Sequence, residues 1–288
     1  MKTRKSKSRF MGKVVKAVSC VFPENHILQV SQYRVESEKI PQAFNGYRIV
    51  QLSDLHGCSF GRNNHKLIEK IEAAGPDAVF LTGDMADRQT KHYEGVFGLS
   101  KALCSRYPVY YVMGNHEQEL LGPRRRAFLD GMRRQGVRIL DNSSASLEQG
   151  GKRIALYGIR IPMKYYRASG RGKHYPQLSP EKVSSLLGIC GQTNFSILLA
   201  HNPFYFDAYA GWGADLTLCG HVHGGMIRLP HYGGLLSPER KFFPKYTSGI
   251  YESESSAGRK MLVSRGLGSG ARICNRPEIV VLTLFHAP

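Results

Sequence analysis

Five short segments of the chain carry aspartate, asparagine or histidine side chains directly after apolar runs. They are Asp54-Leu55-His56, Gly83-Asp84, Gly114-Asn115-His116-Glu117, His201 and Gly220-His221-Val222-His223. Carboxylate, amide and imidazole groups bind divalent metal ions, and imidazoles also transfer protons. Taken singly, most of these segments have ordinary explanations, such as a turn, a helix cap or a buried histidine. Their occurrence together in one chain favours a shared metal site.

The last of these segments is the most specific. His221 and His223 occupy alternate positions after an apolar run, so in an extended chain their side chains point the same way. Glycines flank both histidines and leave space for a bound ion.

The first three segments follow predicted strands at residues 48–52, 77–81 and 109–112, and helical periodicity marks residues 63–74, 96–106 and 124–135. This alternation predicts parallel strands joined by right-handed crossovers. Ligands of such sheets bind beyond the carboxyl ends of the strands. We therefore expect the side chains of these segments to meet in one crevice: Asp54, His56, Asp84, Asn115 and His116.

The second half of the chain is richer in strands. The pattern predicts one helix at residues 179–187 and strands at residues 153–157, 196–200, 216–219, 226–229, 261–264 and 279–284. The expected fold class is therefore α/β, with two mixed β-sheets packed as a sandwich and flanked by helices. Residues 162–176 are predicted to form a long loop near the site. Basic and aromatic residues in this loop and just before it form either a substrate wall or a solvated surface: Arg160, Lys164, Tyr165, Tyr166, Arg167, Arg171 and Lys173.

The chain of 288 residues has 40 lysines and arginines against 22 acids, a net charge of +18. Such an excess favours anionic partners, whether nucleic acid, an acidic membrane surface or phosphorylated small molecules. The six cysteines are scattered without a CxxC pair, which is typical of free thiols in a reducing compartment.

The N-terminus concentrates part of this charge, because residues 1–16 hold seven basic residues and no acid. Apolar residues in 10–22 recur at helical spacing. This favours equally an amphipathic helix in a membrane interface and a short helix packed on the body. No run approaches the roughly 20 apolar residues of a membrane span, and Lys16 interrupts the one candidate for a signal-peptide core. We predict that the N-terminus is retained, with residues 1–46 as an N-terminal segment and residues 47–288 as one domain.

The five segments, extended by Asp87, resemble the motif set of the calcineurin-like metallophosphoesterases, from about residue 47 to residue 284. Residues 224–230, 246–249 and 276–279 resemble the bacterial YaeI/YkuE-like branch, which includes a UDP-2,3-diacylglucosamine pyrophosphatase. That branch typically starts with a membrane or export segment, whereas this chain has only a basic amphipathic start. The resemblance implies a four-layer αββα fold and makes residues 47–288 a catalytic domain.

The resemblance also implies roles for the site residues. Asp54, His56 and His223 would hold one divalent ion, Asn115, His201 and His221 a second, and Asp84 would bridge them. Oxygen and imidazole ligands without thiolate fit Mn²⁺, Fe or Zn²⁺ better than Ca²⁺ or Mg²⁺, and Mn²⁺ is the first choice. A hydroxide shared by two ions about 3.5–4 Å apart would attack phosphorus in line. His116 is expected to stabilise the transition state or donate a proton, and Asp87 either orients a ligand histidine or caps a helix.

The expected function is therefore hydrolysis of a phosphodiester or pyrophosphate bond, on a lipid-linked or cell-envelope substrate. The alternatives are a metal-dependent nuclease, which the net charge favours, and a non-catalytic scaffold on the same fold. We expect a monomer without a specific nucleic-acid partner, in the cytoplasm or at the inner face of the cell membrane, with residues 1–22 contacting anionic lipid and with export left open. The sequence does not identify the residues that bind the substrate.

Overall fold

Two six-stranded β-sheets form the centre of the computed structural model, which describes residues 27–168, 174–191, 194–225, 227–229, 233–236, 244–268 and 272–287. The predicted amphipathic segment at residues 10–22 lies outside these ranges, as do Arg171 and Lys173.

The first sheet contains the strands that precede Asp54, Asp84 and Asn115. Its order is β1-β14-β2-β3-β4-β5, with β1 Gln29–Ser37, β2 Arg48–Leu52, β3 Ala78–Leu81, β4 Val109–Tyr111, β5 Arg138–Ile139 and β14 Glu278–His286. Strands β2 to β5 are parallel, and β14 is antiparallel to β2 and parallel to β1. The carboxyl ends of β2, β3 and β4 therefore lie at the same edge.

The second sheet has the order β12-β13-β9-β8-β7-β6, with β6 Ser143–Gln149, β7 Lys152–Gly158, β8 Ser196–Leu199, β9 Leu216–Cys219, β12 Gly249–Glu252 and β13 Lys260–Val263. Its four inner strands are parallel, and both edge strands pair antiparallel. Strands β10 Ile227–Leu229 and β11 Gly233–Leu236 form a separate antiparallel pair.

Helices cover the outer faces of the two sheets. They are α1 His65–Ala74, α2 Glu94–Cys104, α3 Asn115–Gln118, α4 Gly122–Arg134, α5 Pro180–Leu187 and α6 Phe206–Trp212. In α1, Leu67 and Ile71 are four residues apart and are fully buried against the first sheet. None of the described helices is both long enough and apolar enough to cross a membrane.

The core between the sheets explains why the strands read as continuous apolar runs. Alternate residues of β3 point to opposite faces: Phe80 packs between the sheets, whereas Val79 and Leu81 pack under the helices. Leu199 of β8 and Leu218 of β9 enter the same inter-sheet core from the second sheet. Strands buried on both faces need apolar side chains at every position. The predicted fold class, two mixed sheets in a sandwich with flanking helices, is confirmed.

The pattern-based elements agree with the structure to within about two residues at most of their ends. The strands that the pattern missed are β1, β5, β6, β11 and β12, together with the short helices α3 and α6. Strand β1 lies within the range assigned to the N-terminal segment, yet it pairs along its whole length with β14. Apart from Val35, which is buried in the inter-sheet core, its side chains are partly or fully exposed, because it is an edge strand, so it lacks the apolar run of an inner strand.

Candidate metal centre

The predicted metal ligands converge from both sheets. Asp54 and His56 follow β2, Asp84 follows β3, and Asn115 begins α3 directly after β4. The second sheet contributes the remaining three from the ends of β8 and β9: His201, His221 and His223. The side chains expected at the edge of the first sheet are therefore joined by histidines from the sheet opposite.

Among the described residues, three groups of side chains have ligand atoms within 4.8 Å of one another. The first is Asp54, His56 and His223, the second is His56, Asp84 and His116, and the third is Asp84, His201 and His221. His56 is shared by the first two groups and Asp84 by the last two, so the three groups are connected.

The two carboxylates approach the same imidazole. The Nε2 atom of His201 lies 3.0 Å from Oδ2 of Asp84 and 3.9 Å from Oδ1 of Asp54. The Nε2 atom of His223 lies 3.6 Å from Oδ1 of Asp54. The groups are thus contiguous parts of one centre.

His201 and His56 are each anchored through one ring nitrogen. Nδ1 of His201 lies 2.7 Å from the carbonyl oxygen of Thr82, and Nδ1 of His56 lies 3.6 Å from Oδ2 of Asp87. The opposite Nε2 atom of His56 is buried and has no hydrogen-bond partner among the described residues, whereas Nε2 of His201 faces the carboxylate of Asp84. A protein oxygen on one imidazole nitrogen and a free lone pair on the other is the usual state of a metal-ligating histidine.

The side-chain oxygen of Asn115 is also buried without a hydrogen-bond partner in the described part of the chain. Leaving such polar atoms unpaired costs free energy, so their grouping at one place indicates a missing binding partner. Both of these unpaired atoms, Nε2 of His56 and Oδ1 of Asn115, belong to predicted ligands, and oxygen and nitrogen donors suit a divalent transition metal. The residues present therefore fit metal ions.

Several of these ligands have a left-handed backbone conformation, which is uncommon for residues with a Cβ. They are Asp54 (φ 54°), His56 (49°), Asp84 (53°), His221 (75°) and His223 (52°). Strained backbone of this kind persists only where the surroundings impose it, and it concentrates at functional sites. No pattern of residue types along the chain predicts it.

Close approach of neighbouring segments explains why positions 114 and 220 are occupied by glycine. A Cβ on Gly114 would come within 2.1 Å of Oδ1 of Asp84, and a Cβ on Gly220 would come within 1.9 Å of Oγ of Ser53. Any larger residue at either position would push apart the segments that carry the ligands.

Glu117 holds two of these loops together and was not predicted to have a role. Its fully buried carboxylate accepts hydrogen bonds from the backbone N–H groups of Asp84 (3.0 Å), Ala86 (3.1 Å) and Gly114 (2.9 Å). In return, the carboxylate of Asp84 accepts from the backbone N–H of His116 at 2.8 Å. The sequence signal that could have identified Glu117 was its position directly after two predicted site residues at the start of a helix.

The pKa values of His201 and His223, the two most buried histidines of the site, are shifted in opposite directions. Burial opposes ionisation of Asp54 and Asp84, but the neighbouring imidazoles outweigh it and lower the pKa of both carboxyls. Burial likewise opposes a charge on His201, yet Asp84 and Asp54 raise its pKa to about 10. Burial lowers the pKa of His223 to about 3. A metal ion entering the site must therefore displace a proton from His201.

His116 faces the same space as the ligands but is more open to solvent. Its ring lies edge-on to that of His56, with the ring centroids 4.7 Å apart, and its Nε2 is 3.9 Å from Oδ2 of Asp84. Burial lowers the pKa of His116, so the ring is neutral at neutral pH. A neutral imidazole retains one N–H group that can donate a hydrogen bond to a substrate oxygen.

Asp87 sits behind His56 and is itself held in place. Its Oδ1 accepts hydrogen bonds from the backbone N–H of Gln89, the backbone N–H of Thr90 and the hydroxyl of Thr90, each at 2.8 Å. Its other oxygen faces His56. This places Asp87 where it can orient that ring.

The segment predicted as a loop contains a short 3-10 helix, Met163–Tyr166, whose last residue lies near the centre. The ring of Tyr166 lies 5.3 Å from that of His221 and 6.2 Å from that of His201, measured between centroids. Arg160 instead pairs with Asp141, and Arg167 pairs with Glu119 at 3.1 Å. Of the proposed substrate wall, Tyr166 is thus the described residue whose ring contacts the ligand histidines.

A comparison with known families identifies the class of protein. Residues 47–225 match the family model of the calcineurin-like phosphoesterases, so the chain belongs to that family. Members use divalent metal ions, and the chain is a metal-dependent phosphoric ester hydrolase that acts on a phosphoester substrate. The alternative of a non-catalytic scaffold is therefore wrong.

Relatives place the chain in the YaeI/YkuE-like branch. It is 30% identical over 270 residues to the metallophosphoesterase YkuE of Bacillus subtilis, covering 91% of this chain and 87% of YkuE. It is 26% identical over 247 residues to the phosphodiesterase YaeI of Escherichia coli, covering 83% of this chain and 82% of YaeI. Among solved structures, NAD nucleotidase (NadN) of Haemophilus influenzae matches with a TM-score of 0.50 and 14% identity, over 77% of this chain and 45% of that one. This last similarity is one of fold.

Proposed function

We propose that the chain is a dinuclear phosphodiesterase or pyrophosphatase in which Asp84 bridges two divalent ions. The observation that supports this most directly is that Asp84 belongs both to the group with His56 and to the group with His201 and His221. One ion would be held by Asp54, His56 and His223, and the other by Asn115, His201 and His221. Mn²⁺ is the proposed metal, with Fe or Zn²⁺ as the alternatives.

The charge balance of the ligands suits an anionic substrate. Two divalent ions would bring four positive charges, against two carboxylates among the seven proposed ligands. The remaining positive charge would be available to phosphoryl oxygens. When bound, the ions supply an activated water and neutralise charge on the phosphoryl group.

The chain's own residues would complete the reaction. His116, neutral and partly exposed beside Asp84, would donate its N–H to a phosphoryl or leaving-group oxygen. Asp87 would hold His56 in one orientation, and Tyr166 would form a wall beside His221. Glu117 would keep the Asp84 and Asn115 loops at a fixed separation.

The test combines metal content with turnover. The metal-free full chain would be titrated with Mn²⁺ while hydrolysis of bis(p-nitrophenyl) phosphate and of a pyrophosphate diester is measured. We expect activity to saturate at two ions per chain. Saturation at one ion would contradict the dinuclear proposal, and hydrolysis of p-nitrophenyl phosphate alone would contradict the substrate class.

A nuclease is the second candidate, and the net charge of +18 is the observation that favours it. Neutralised phosphates make nucleic-acid binding strongly salt-dependent. Cleavage of single- or double-stranded DNA or RNA that falls steeply between 50 and 200 mM salt would support this candidate. Activity on small diesters without nucleic-acid cleavage would exclude it.

We also propose that the chain is a monomer that contacts an anionic membrane surface from the cytoplasmic side through residues 1–22. The basic, amphipathic composition of this segment supports the proposal. Deleting residues 1–22 should abolish sedimentation with vesicles containing phosphatidylglycerol and leave hydrolysis of a soluble diester unchanged. Equal sedimentation of the truncated chain would contradict the proposal.

A further inference from the structure

Arg272 is a buried arginine whose hydrogen-bonding capacity is largely unused. The residue is 4% exposed. Its Nη2 donates to the carbonyl oxygen of Gly268 at 2.7 Å. Nε and Nη1 are buried and have no hydrogen-bond partner among the described residues. Burying guanidinium N–H groups without acceptors is costly, so their position indicates an acceptor that the described residues do not supply.

The charge of Arg272 is also unbalanced. In the part of the chain that the structure describes, no carboxylate forms an ion pair with it. The nearby Arg265 provides the contrast, because its Nη2 lies 3.0 Å from Oε1 of Glu278 and its backbone N–H donates to Oε2 of the same residue. A buried charge normally has a partner of opposite sign. For Arg272, an anionic ligand would be that partner.

The contacts of Gly268 place this arginine beside the metal centre. The backbone N–H of Gly268 donates to the carbonyl oxygen of Asp54 at 2.6 Å, and the N–H of Leu267 donates to that of Ser53 at 2.9 Å. The segment that anchors Arg272 therefore lies along the segment that carries Asp54. The guanidinium also interacts electrostatically with Asp54 and His223, two of the three ligands proposed for one ion.

We propose that Arg272 binds an oxygen of the substrate's phosphoryl group, next to the ion held by Asp54, His56 and His223. This inference rests on the proposed function of the site, since the anion is the phosphoester on which the enzyme acts. Guanidinium is well suited to phosphate because it stays charged and offers several N–H donors. Shielding from water strengthens each such hydrogen bond.

The experiment measures binding of inorganic orthophosphate, the simplest phosphoryl anion, to the Mn²⁺-loaded full chain by calorimetry. Arg272→Met should weaken phosphate binding at least about tenfold, the loss expected for one hydrogen bond to a charged group, while two ions per chain are retained. Arg228→Met is the matched control, because Arg228 is partly buried and its Nη1 already donates to Oγ of Ser248 at 2.7 Å. The control should bind phosphate as the wild type does.

Two results would overturn the proposal. One is unchanged phosphate affinity in Arg272→Met. The other is loss of bound Mn²⁺ in that variant, which would show that the guanidinium acts on the ligands and not on the anion. If circular dichroism shows that Arg272→Met does not fold, Arg272→Lys is the variant to test. It keeps the positive charge but lacks a donor at the Nε position. Phosphate binding equal to that of the wild type would then contradict the proposal.

Phosphate binding is measured without turnover, so this test is independent of the proposed reaction. A wild-type chain that hydrolyses neither diesters nor pyrophosphates would contradict the proposed function. A phosphate affinity that depends on Arg272 would still support the anion site in that case.

Discussion

Two regions of the molecule bury aspartates, and they stabilise the negative charge in different ways. Asp215 is 8% exposed; its Oδ1 pairs with Lys39 at 3.0 Å and with Arg259, and its Oδ2 accepts from the backbone N–H and the hydroxyl of Ser196, each at 2.9 Å. Asp54 and Asp84 are more deeply buried, and their ion-pair partners among the described residues are imidazoles.

The type of partner distinguishes Asp215, a structural carboxylate, from Asp54 and Asp84, the candidate metal ligands. Asp215 has permanently charged partners and saturated hydrogen bonds, so nothing further is needed to stabilise it. Asp54 and Asp84 lie beside imidazoles and not beside permanently charged groups, and carboxylates together with imidazoles suit a divalent cation. Burial of an acid alone does not mark a site, whereas the type of its partners does.

The largest expected effect comes from removing the shared carboxylate. Asp84→Asn should lower turnover of a diester by about 10⁴-fold or more, because metal ions contribute several kcal/mol of transition-state stabilisation and each 1.4 kcal/mol is a factor of ten. Metal content by plasma mass spectrometry should fall below two ions per chain. Full activity with two ions retained would remove Asp84 from the bridging position.

Replacing the partly exposed histidine of the same region should have the next largest effect. His116→Ala should reduce turnover roughly a thousandfold, within the range for general acid–base groups, while both ions stay bound. The measurement is kcat at saturating Mn²⁺, with metal content determined on the same sample. If the variant instead loses an ion, His116 is a ligand, which the group it forms with His56 and Asp84 also permits geometrically.

A smaller effect is expected from the carboxylate behind His56. Asp87→Asn removes the charge that faces Nδ1 of that ring, so metal affinity should fall by about 10- to 100-fold. Excess Mn²⁺ should restore most of the activity. Activity that stays low at every Mn²⁺ concentration would show that Asp87 does more than orient a ligand.

The smallest effect on turnover is expected for Asp215→Asn, the same substitution as Asp84→Asn in the other region. Arg259 and Lys39 would lose their partner, and because Lys39 is substantially exposed, water replaces part of the interaction. The free energy of unfolding should fall by about 1–2 kcal/mol, measured by urea unfolding of the metal-free chain. Metal content and kcat should equal those of the wild type, and a drop in either would mean that the two regions are coupled.

Much of the site could be predicted because strand ends are local signals. Ala78–Leu81 is buried along its whole length and is an unbroken apolar run, and Arg48–Leu52 is buried from Ile49 onward and is apolar except for Gln51, so the polar residue that follows each strand marks the edge of the sheet. Edge strands carry no such signal, which is why β1 was missed although it pairs fully with β14. Arg272 was missed because its sequence neighbours indicate nothing about burial.

The sequence by itself indicated the α/β class and the strands that end at the candidate ligands of the first sheet, since these depend on residue type and short-range spacing, and its resemblance to a known motif set supplied the full set of seven candidate ligands. Tertiary structure alone decided that Asp84 lies between two groups of histidines, that five ligands take left-handed conformations, and that Glu117 ties two loops together. The physical reason is that these features arise from contacts between segments far apart in the chain. Such contacts impose strained backbone and leave buried polar atoms unpaired, and neither property is encoded in any one segment.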